Sequence, residues 1–371
     1  MAMDKPQRVV VALSGGVDSS LAAALLTAAG HEVVGVTLKL QKCQEAGASR
    51  SCCGVDGMVR ARAVAGRLGI AHYALDCVGD FESLVLRPAW DEYAAGRTPS
   101  PCLLCNERIK FGVLLAWARR IGAGLLATGH YARCEPDAAG VPALRRAVDP
   151  AKDQSYFLAG LSLDQLGAVR FPLGNMTKEA VREQARNLGL PTAAARDSQD
   201  ACLVAPGQSF AEMLRQRFSA PATPGIVAEL DGTRLGPHQG VHQFTVGQSR
   251  GLPGPSHVKR WVTAIRADDG TVLVSAEAKN LNGREFAVDG LNWLTPEGGA
   301  APVRCQVQVR YRHPPVGARI EPDGPGTATI TLDEPVRAIA PGQAAVFYDG
   351  DRVLGRGWIR VSTETNRQET E

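Results

Sequence analysis

The stretch Val9–Ser20, VVVALSGGVDSS, decides the fold of this chain. Its first five residues, VVVAL, are an apolar, β-branched run that predicts a buried strand, and VDSSLAAALLTAAG, from Val17 onward, predicts a helix. Two adjacent glycines join them. Glycine backbones fold tightly around an anion, while serine hydroxyls and the N–H groups at a helix start supply donors on the positive end of the helix dipole. The stretch therefore predicts a strand, a phosphate-binding loop and a helix in succession.

The alternation of strand-like and helix-like segments continues up to about Gly129. Apolar runs such as EVVGVTL, AHYAL and GLLATG alternate with segments of helical pattern, among them GMVRARAVAGRLG and the stretches Phe81–Tyr93 and Asn106–Ile121. This order predicts an α/β domain whose parallel sheet is covered by helices on both faces. Ligands of such sheets bind beyond the carboxyl ends of the strands, which is where we expect Ser14–Ser19, Leu38 and Gly129 to lie.

The second half of the chain differs in composition. The segment TKEAVREQARNLGL, residues 177–190, predicts an amphipathic helix that ends at a glycine followed by a proline. Glycine and proline then separate short segments, and alternating runs such as VRCQVQVRYR and TATITL predict antiparallel strands of a small barrel. We therefore expect a Rossmann-like α/β domain at residues 1–205, a small central domain at 206–280, a C-terminal β-barrel at 281–361 and a disordered tail at 362–371.

Composition excludes several classes of protein. The 371 residues are 44% apolar and 21% charged, a balance that excludes a disordered or fibrous chain. No stretch approaches the ~20 uninterrupted apolar residues of a membrane span, and the first residues lack the pattern of a signal peptide, so we expect a cytoplasmic protein without a membrane partner. The nine scattered cysteines disfavour a secreted disulfide framework and favour reactive or metal-binding thiols. A net charge of +3 permits a nucleic-acid partner without requiring one.

The loop SGGVDSS lacks the Gly-Lys-Ser/Thr of a Walker loop, which disfavours transfer of a terminal phosphoryl group. It resembles instead the loop of ATP pyrophosphatases, which cleave between the α- and β-phosphates and leave AMP on a substrate oxygen. Asp18 is the natural Mg²⁺ ligand there, since a carboxylate near phosphate oxygens is otherwise repulsive. A glycine-rich turn without a ligand is the alternative. Adenylation has a use, because a carbonyl oxygen that carries AMP departs easily when a nucleophile attacks its carbon.

An amine or sulfur nucleophile must then be supplied to that carbon, and two cysteines are considered for this role. Cys105 directly precedes Asn106, which we predict to be a helix N-cap, so the helix dipole and the nearby Arg108 and Lys110 favour its thiolate. A buried structural thiol is the alternative. Cys202 lies in the polar segment DSQDAC, and on its own this segment indicates no function.

Eight ordered blocks, across nearly the whole chain, resemble the bacterial tRNA-specific 2-thiouridylases: SGGVDSS, GRTPSPCLLCNERIKFG, ATGHYAR, KDQSYFL, DSQDACLV, FTVGQSRGL, RYR and APGQAAVFYDGD. This resemblance implies an enzyme of the PP-loop ATP pyrophosphatase superfamily. Such an enzyme adenylates the 2-carbonyl of the wobble uridine in tRNA and replaces its oxygen by sulfur from a cysteine persulfide. The resemblance thus implies ATP, Mg²⁺, a tRNA partner and a persulfide donor, such as a cysteine desulfurase or a sulfur-relay protein.

The resemblance also implies roles for individual residues. Cys105 matches the family nucleophile and Cys202 the cysteine that carries the persulfide. The implied ATP contacts are Ala12, Leu13, Ser14, Gly15, Gly16, Val17, Asp18, Ser19, Leu38 and Gly129, and Leu38 replaces the usual methionine beside the adenine. The implied tRNA contacts are Ser100, Pro101, Cys102, His130, Lys152, Asp153, Gln154, Arg310, Tyr311 and Gln343. For each tRNA residue, an ordinary solvated surface residue is the alternative.

One position departs from the family in a way that bears on mechanism. The family often has aspartate three residues before the nucleophile, and here that residue is Cys102. Related tRNA thiolases hold a [4Fe–4S] cluster with three cysteines, so Cys102, Cys105 and Cys202 could ligate such a cluster. In the competing view Cys102 is a spectator, and the other two cysteines form a persulfide and disulfide pair.

Other functions share some of these features. Thiolation of another tRNA uridine uses the same loop and thiols. A tRNA-binding module without catalysis is a second alternative, but it needs neither an intact SGGVDSS loop nor two cysteines. An ATP-dependent amide synthetase shares the loop and leaves Cys105 and Cys202 unexplained.

Overall fold

The computed structural model describes residues 6–41, 55–195, 207–255, 257–296 and 298–360. Cys202 and the predicted disordered tail lie outside these ranges. The chain divides into two compact units, of which the first comprises Met1–Val85, Cys102–Gly207 and Asp351–Val353, and the second Leu86–Pro101, Gln208–Gly350 and Leu354–Glu371. The domain boundaries expected from the sequence stay a prediction.

Helices and parallel strands alternate in the first part of the chain. In chain order the elements are β1 (Arg8–Ala12), α1 (Val17–Ala28), β2 (Glu32–Lys39), α2 (Val55–Leu68), β3 (Ala71–Asp76), α3 (Val78–Phe81), a π-helical segment (Glu82–Leu86), α4 (Arg87–Ala94), α5 (Pro101–Leu104), a second π-helical segment (Cys105–Val113), α6 (Leu114–Arg120), β4 (Leu125–Ala127), β5 (Arg133–Pro136), β6 (Pro142–Arg145), α7 (Ser155–Leu158), α8 (Leu163–Gly167), β7 (Val169–Arg170) and α9 (Lys178–Asn187).

The first unit is built on a parallel sheet of order β3-β2-β1-β4-β7. Val9, Val10 and Val11 of β1 have no exposed surface, as expected for the central strand of a sheet covered on both faces. Each such side chain contributes about 1.5–3 kcal/mol of hydrophobic stabilisation. The α/β prediction is therefore confirmed, and β1, β2 and β4 all point their carboxyl ends at the same edge.

The helix that carries Cys105 begins earlier than the sequence pattern predicts. Helical backbone starts at Pro101 and runs through the second π-helical segment into α6, so Asn106 lies inside the helix. Its side-chain amide donates to the carbonyl of Phe157 over 3.0 Å. The N-cap prediction for Asn106 is wrong, because Pro101 is pre-organised for the first position of a helix and starts it five residues before Asn106.

The second unit is rich in β-structure. Its further elements are α10 (Phe210–Arg217), β8 (Gly225–Glu229), β9 (Arg234–His238), a 3₁₀ turn (Val241–Gln243), β10 (Trp261–Arg266), β11 (Thr271–Ser275), a 3₁₀ turn (Ala278–Leu281), β12 (Asn282–Trp293), β13 (Val303–Gln308), β14 (Val316–Gly324), β15 (Thr327–Arg337), β16 (Ala344–Asp349) and β17 (Arg352–Ile359). Strands β8 to β11 form one four-stranded sheet, in the order β10-β11-β8-β9.

Strands β12 to β17 form the barrel that the alternating pattern predicts. Their order is β12-β15-β14-β13-β16-β17, and antiparallel pairing of β12 with β17 closes the ring. Phe286, Val307, Ile330 and Phe347 are among the fully buried residues of its core. Closure pairs both outer strands and so removes the free edges of the six-stranded sheet. Among the described residues, no helix is long and apolar enough to cross a membrane.

Candidate active site

The loop between β1 and α1 requires glycine. Gly15 has a φ of +76°, and a Cβ there would lie 2.2 Å from the carbonyl oxygen of Gly57 on α2, so a side chain is excluded. Gly16 is the N-cap of α1 and has extended backbone. Nε of Arg60 donates to the carbonyl of Gly15 over 3.0 Å. The close approach of α2 therefore fixes the shape of the loop.

Serine side chains close this loop by hydrogen bonds. The N–H of Ser14 donates to Oγ of Ser19 over 3.1 Å, and the hydroxyls of Ser19 and Ser20 donate to the carbonyl of Gly16 over 3.2 and 2.8 Å. The N–H of Ser20 also reaches the Gly16 carbonyl, at 3.2 Å. Helix geometry leaves the preceding N–H groups of α1 without partners inside the helix. The loop can therefore receive phosphate on hydroxyl and N–H donors at the positive end of the dipole.

Two further residues of the expected nucleotide site lie at the same sheet edge. Gly129 follows β4, and a Cβ there would lie 2.6 Å from the nitrogen of Ser19 and 2.7 Å from the carbonyl carbon of Asp18. Leu38 lies near the end of β2, is 9% exposed, and pairs in register with Leu75 of β3. Gly129 thus packs directly against the first turn of α1, where only a residue without a side chain fits.

The carboxylate of Asp18 contacts a buried lysine. Nζ of Lys178 lies 2.7 Å from Oδ1 and 2.8 Å from Oδ2, and the Tyr131 hydroxyl donates to Oδ1 over 2.7 Å. Lys178 is 7% exposed and Tyr131 is 3% exposed. An ammonium beside a carboxylate repels a second cation. This arrangement therefore does not fit the prediction that Asp18 is a ligand of Mg²⁺. Within the described ranges, no group of three or more His, Cys, Asp or Glu side chains could hold a metal ion.

Cys105 lies near the carboxyl end of β3. Cys77 directly follows that strand and is buried, and burial raises the pKa of its thiol to about 11, with further contributions from Asp80, Asp76 and Cys105. The π-helical segment that begins at Cys105 packs against α3, the helix that directly follows Cys77. Cys105 therefore lies at the carboxyl edge of the parallel sheet, where the phosphate-binding loop also lies.

Of the other two cysteines of the predicted sulfur site, only Cys102 lies among the described residues. Cys102 is exposed, whereas Cys105 is partly buried. Cys202 lies outside the described residues. The persulfide pair and the three-cysteine iron–sulfur cluster therefore both stay predictions.

A histidine and a lysine interact beside the Cys105 helix. Nζ of Lys110 lies 3.5 Å from Nε2 of His130, and Nδ1 of His130 lies 2.7 Å from Oγ1 of Thr128. Burial, and then the charge of Lys110, lower the pKa of His130 well below its ordinary value, so its ring is neutral at pH 7. A neutral ring that accepts from Lys110 at Nε2 donates from Nδ1 to Thr128. The i→i+5 hydrogen-bond pattern of a π-helix places Lys110 about one turn beyond Cys105, so His130 orients a cation on the helix that carries Cys105.

Gln165 fastens the same helix to α8. Its Nε2 donates to the carbonyl of Glu107 over 3.2 Å and to that of Phe111 over 2.8 Å. Its Oε1 accepts from the N–H of Ser162, and Oγ of Ser162 accepts from the N–H of Gln165, which completes a capping box. One side chain therefore holds both the start of α8 and the wide helical turn that follows Cys105.

The predicted tRNA-binding segment 152–154 is tied to its own surroundings. Oδ1 of Asp153 accepts from the N–H of Ala147 over 3.0 Å, and Oδ2 lies 3.2 Å from Nη1 of Arg146. Oε1 of Gln154 accepts from the N–H of Tyr131 over 2.9 Å. Asp153 and Gln154 thus shape the loop, and contact of Lys152, Asp153 and Gln154 with tRNA stays a prediction.

In the second unit, Gln343 supports the segment that contains two predicted tRNA contacts. Its Nε2 donates to the carbonyl of Thr98 over 2.9 Å and to that of Pro99 over 3.0 Å. Ser100 is 7% exposed and Pro101 is partly buried. Gln343 therefore positions this segment, and the tRNA contacts of all three residues stay predictions.

Arg310 and Tyr311 lie after β13. Nη1 of Arg310 donates to the carbonyl of Arg337 over 2.8 Å, and the guanidinium of Arg312 lies 5.3 Å from the centroid of the Tyr311 ring. Arg312 adopts a left-handed φ of +63°. This cationic and aromatic group is chemically suited to RNA, and its contact with tRNA stays a prediction.

Sequence reasoning missed Lys178, Tyr131 and Gln165. Lys178 and Tyr131 lie 160 and 113 positions from Asp18 in the chain, so no local pattern connects them with the loop. For Gln165 a signal existed, because Ser162 followed three residues later by glutamine is a capping-box pattern. That pattern predicts the start of α8 but says nothing of the carbonyls that the amide reaches.

Three family models match the chain. The tRNA methyl transferase HUP domain matches residues 7–206, the tRNA methyl transferase PRC-barrel domain matches residues 212–276, and the Aminomethyltransferase beta-barrel domain matches residues 283–359.

Curated relatives match over almost the full chain, and each of the following is named tRNA-specific 2-thiouridylase MnmA. The protein of Magnetococcus marinus is 45% identical over 361 residues, which cover 96% of this chain and 100% of the relative. That of Rhizorhabdus wittichii is 46% identical and covers 96% and 92%. That of Rhodospirillum rubrum is 46% identical over 367 residues and covers 96% of both chains.

Proposed function

Because this chain belongs to the family of tRNA-specific 2-thiouridylases, we propose that it replaces the 2-oxygen of the wobble uridine of tRNA by sulfur in an ATP-dependent reaction. The observation that carries the proposal is the common location of two chemically different groups. The phosphate-binding loop of Ser14–Ser19 follows β1, and the π-helical segment that begins at Cys105 packs against α3, which follows β3 of the same parallel sheet. Ligands of such sheets bind at this edge.

The first step of the proposed reaction activates the base. The 2-carbonyl oxygen of the uridine attacks the α-phosphorus of ATP, and pyrophosphate leaves. The hydroxyls of Ser14 and Ser19 and the first N–H groups of α1 hold the phosphates, since these are the donors that the loop presents. Gly129 lets the chain after β4 pack against the first turn of α1, which fixes the position of these donors.

The second step transfers sulfur. The terminal sulfur of a persulfide on Cys202 attacks the activated carbon, and AMP departs with the original oxygen. The thiolate of Cys105 then attacks the sulfur of Cys202 and breaks the remaining S–S bond, which leaves 2-thiouridine and a Cys105–Cys202 disulfide. A two-electron reductant reopens the disulfide, and a persulfide donor such as a cysteine desulfurase or a sulfur-relay protein reloads Cys202.

The protein surroundings of Cys105 support its role as nucleophile. Lys110 lies one turn further along the π-helix, and a nearby cation favours a thiolate over a thiol. His130 keeps Lys110 in place without adding charge of its own, since its ring is neutral. The tRNA itself is bound by Arg310, Tyr311 and the segment that starts at Ser100, which present cationic, aromatic and polar groups suited to a splayed anticodon base.

Nucleoside analysis tests the function. The tRNA of a strain that lacks this gene loses 2-thiouridine derivatives, and a plasmid copy restores them. Cys105→Ser and Cys202→Ser copies fail to restore them, although both variants still bind tRNA. Unchanged 2-thiouridine in the deletion strain contradicts the proposal, and loss of a different thiolated uridine points to another tRNA position. ATP-dependent AMP release that requires tRNA separates the enzyme from a module that only binds tRNA.

Cys102 separates the two sulfur mechanisms. In the persulfide mechanism Cys102 ligates nothing, so Cys102→Ala keeps its activity and the purified protein is colourless. With a [4Fe–4S] cluster, protein purified without oxygen contains about four irons per chain, and Cys102→Ala loses iron and activity together. We propose the persulfide mechanism, because the family usually has no cysteine at this position.

A further inference from the structure

We propose that Lys178 is the cation that neutralises the phosphates of ATP in the loop, and that Asp18 is the counter-ion of Lys178 rather than a metal ligand. This inference rests on the proposed function, since it assumes that the loop binds ATP. It starts from one geometric fact. The only charged side chain of the SGGVDSS loop has an ammonium group within 2.8 Å of each of its two carboxylate oxygens.

The loop has no cation of its own. Residues 12–20 contain neither lysine nor arginine, whereas a Walker loop carries its phosphate-binding lysine within the motif. Lys178 brings an ammonium to the first turn of α1 from a helix that begins 160 positions later. The fold thereby supplies at long range the charge that a Walker loop supplies locally.

Lys178 is held so that its charged end stays at the loop. It is the first residue of α9, and its N–H donates to Oδ2 of Asp149 over 3.0 Å. Oγ1 of Thr177 caps the same helix by accepting from the N–H of Ala180. Only 9% of the Lys178 side chain is exposed, and its ammonium lies 5.6 Å from the centroid of the Tyr131 ring. A lysine fixed in this way loses little further conformational freedom when a phosphate binds.

A buried ammonium is unfavourable without a partner of opposite charge. Asp18 is that partner here, and Tyr131 donates a hydrogen bond to the same carboxylate, which spreads its negative charge. A phosphate that enters the loop competes with Asp18 for the ammonium. Asp18 thus pairs with Lys178 in the absence of ATP, and the phosphates take its place when ATP binds. A magnesium ion on Asp18 would first have to displace Lys178.

Calorimetric titration of the full chain with ATP in excess chelator distinguishes the two roles of Asp18. Lys178→Met leaves the Asp18 carboxylate facing the phosphates alone, and we expect ATP binding about tenfold or more weaker. Asp18→Asn removes the carboxylate that competes with phosphate for the Lys178 ammonium, so this variant binds ATP at least as tightly as wild type does. Lys279→Met, which breaks an exposed pair with Glu277, is the matched control and changes nothing.

Three measurements keep the test decisive. AMP lacks the β- and γ-phosphates, so Lys178→Met changes its affinity less than that of ATP. Asp18→Asn/Lys178→Met carries no unpaired charge in this pair, and its folding is checked by thermal unfolding in case Lys178→Met alone does not fold. The double variant binds ATP more weakly than wild type because the ammonium is lost.

Specific outcomes overturn the inference. Wild-type affinity for ATP in Lys178→Met refutes it. It is also refuted if Asp18→Asn binds ATP weakly because the variant has lost an Mg²⁺-dependent affinity that the wild type shows. A wild-type protein that binds no ATP, with or without Mg²⁺, contradicts the proposed function itself. The two failures are therefore distinguishable.

Discussion

Replacing Gln165 by methionine removes the hydrogen bonds that hold the helix of Cys105 to α8. Methionine keeps the length of the side chain but loses the donations to Glu107 and Phe111 and the acceptance from Ser162. At about 1 kcal/mol net for each of three hydrogen bonds, the free energy of unfolding falls by about 3 kcal/mol. Gln165→Glu retains the acceptor for Ser162 but offers no donor at pH 7, so it loses about 2 kcal/mol.

Urea unfolding of the full chain measures these changes. Gln184→Met on the exposed side of α9 is the matched control, and we expect it to stay within about 0.5 kcal/mol of wild type. The second readout is the rate at which iodoacetamide modifies Cys105, followed by mass spectrometry of its peptide. This rate rises in Gln165→Met, because the segment after Cys105 opens more often. Stability within about 0.5 kcal/mol of wild type, with an unchanged alkylation rate, refutes the fastening role of Gln165.

Two further predictions concern the loop and the second unit. Gly129→Ala places a Cβ 2.6 Å from the nitrogen of Ser19, so calorimetry shows ATP binding about tenfold or more weaker, whereas Gly124→Ala, which meets nothing within 4 Å, binds normally. Hydrogen bonds from Arg215 lower the pKa of Glu212 to about 2 against the opposing effect of burial, so Glu212 stabilises the fold above its ordinary pKa and this contribution fades as pH falls toward 2. Glu212→Gln therefore loses less stability than wild type between about pH 5 and about pH 3 in urea unfolding, and an equally steep loss contradicts the assignment.

Local patterns in the sequence were sufficient to predict the sheet and the loop. Val9–Val11 form a strand because a β-branched run buries well in a parallel sheet, and this signal does not depend on distant residues. Gly15 and Gly16 predict the loop because their lack of a Cβ permits its backbone, and the left-handed φ of Gly15 confirms that reasoning. The barrel strands followed from alternation with a period of two.

Roles that depend on tertiary contacts could not be predicted in this way. Lys178 lies in a segment whose pattern predicts an amphipathic helix, but an amphipathic pattern does not indicate that one lysine is buried against Asp18. The pattern around Asn106 predicts a cap and so places the start of the Cys105 helix too late, because proline five residues earlier is itself suited to the first position of a helix. The π-helical segment Cys105–Val113 could not be predicted, because the apolar periodicity that identifies a helix in a sequence is that of an α-helix, 3.6 residues per turn.

That turn has a consequence for how this region can change during evolution. A π-helical segment contains a residue more per hydrogen-bonded ring than an α-helix, so the residues on its two sides differ in angular phase. Deleting one residue within Cys105–Val113 would restore the α-helical repeat and rotate the preceding residues by about 100° relative to the following ones. Cys102 would then point in a new direction while α6 stayed in its packed place. The length of this segment, and not only its composition, is therefore under constraint, so we expect single-residue insertions and deletions here to be far less tolerated than substitutions.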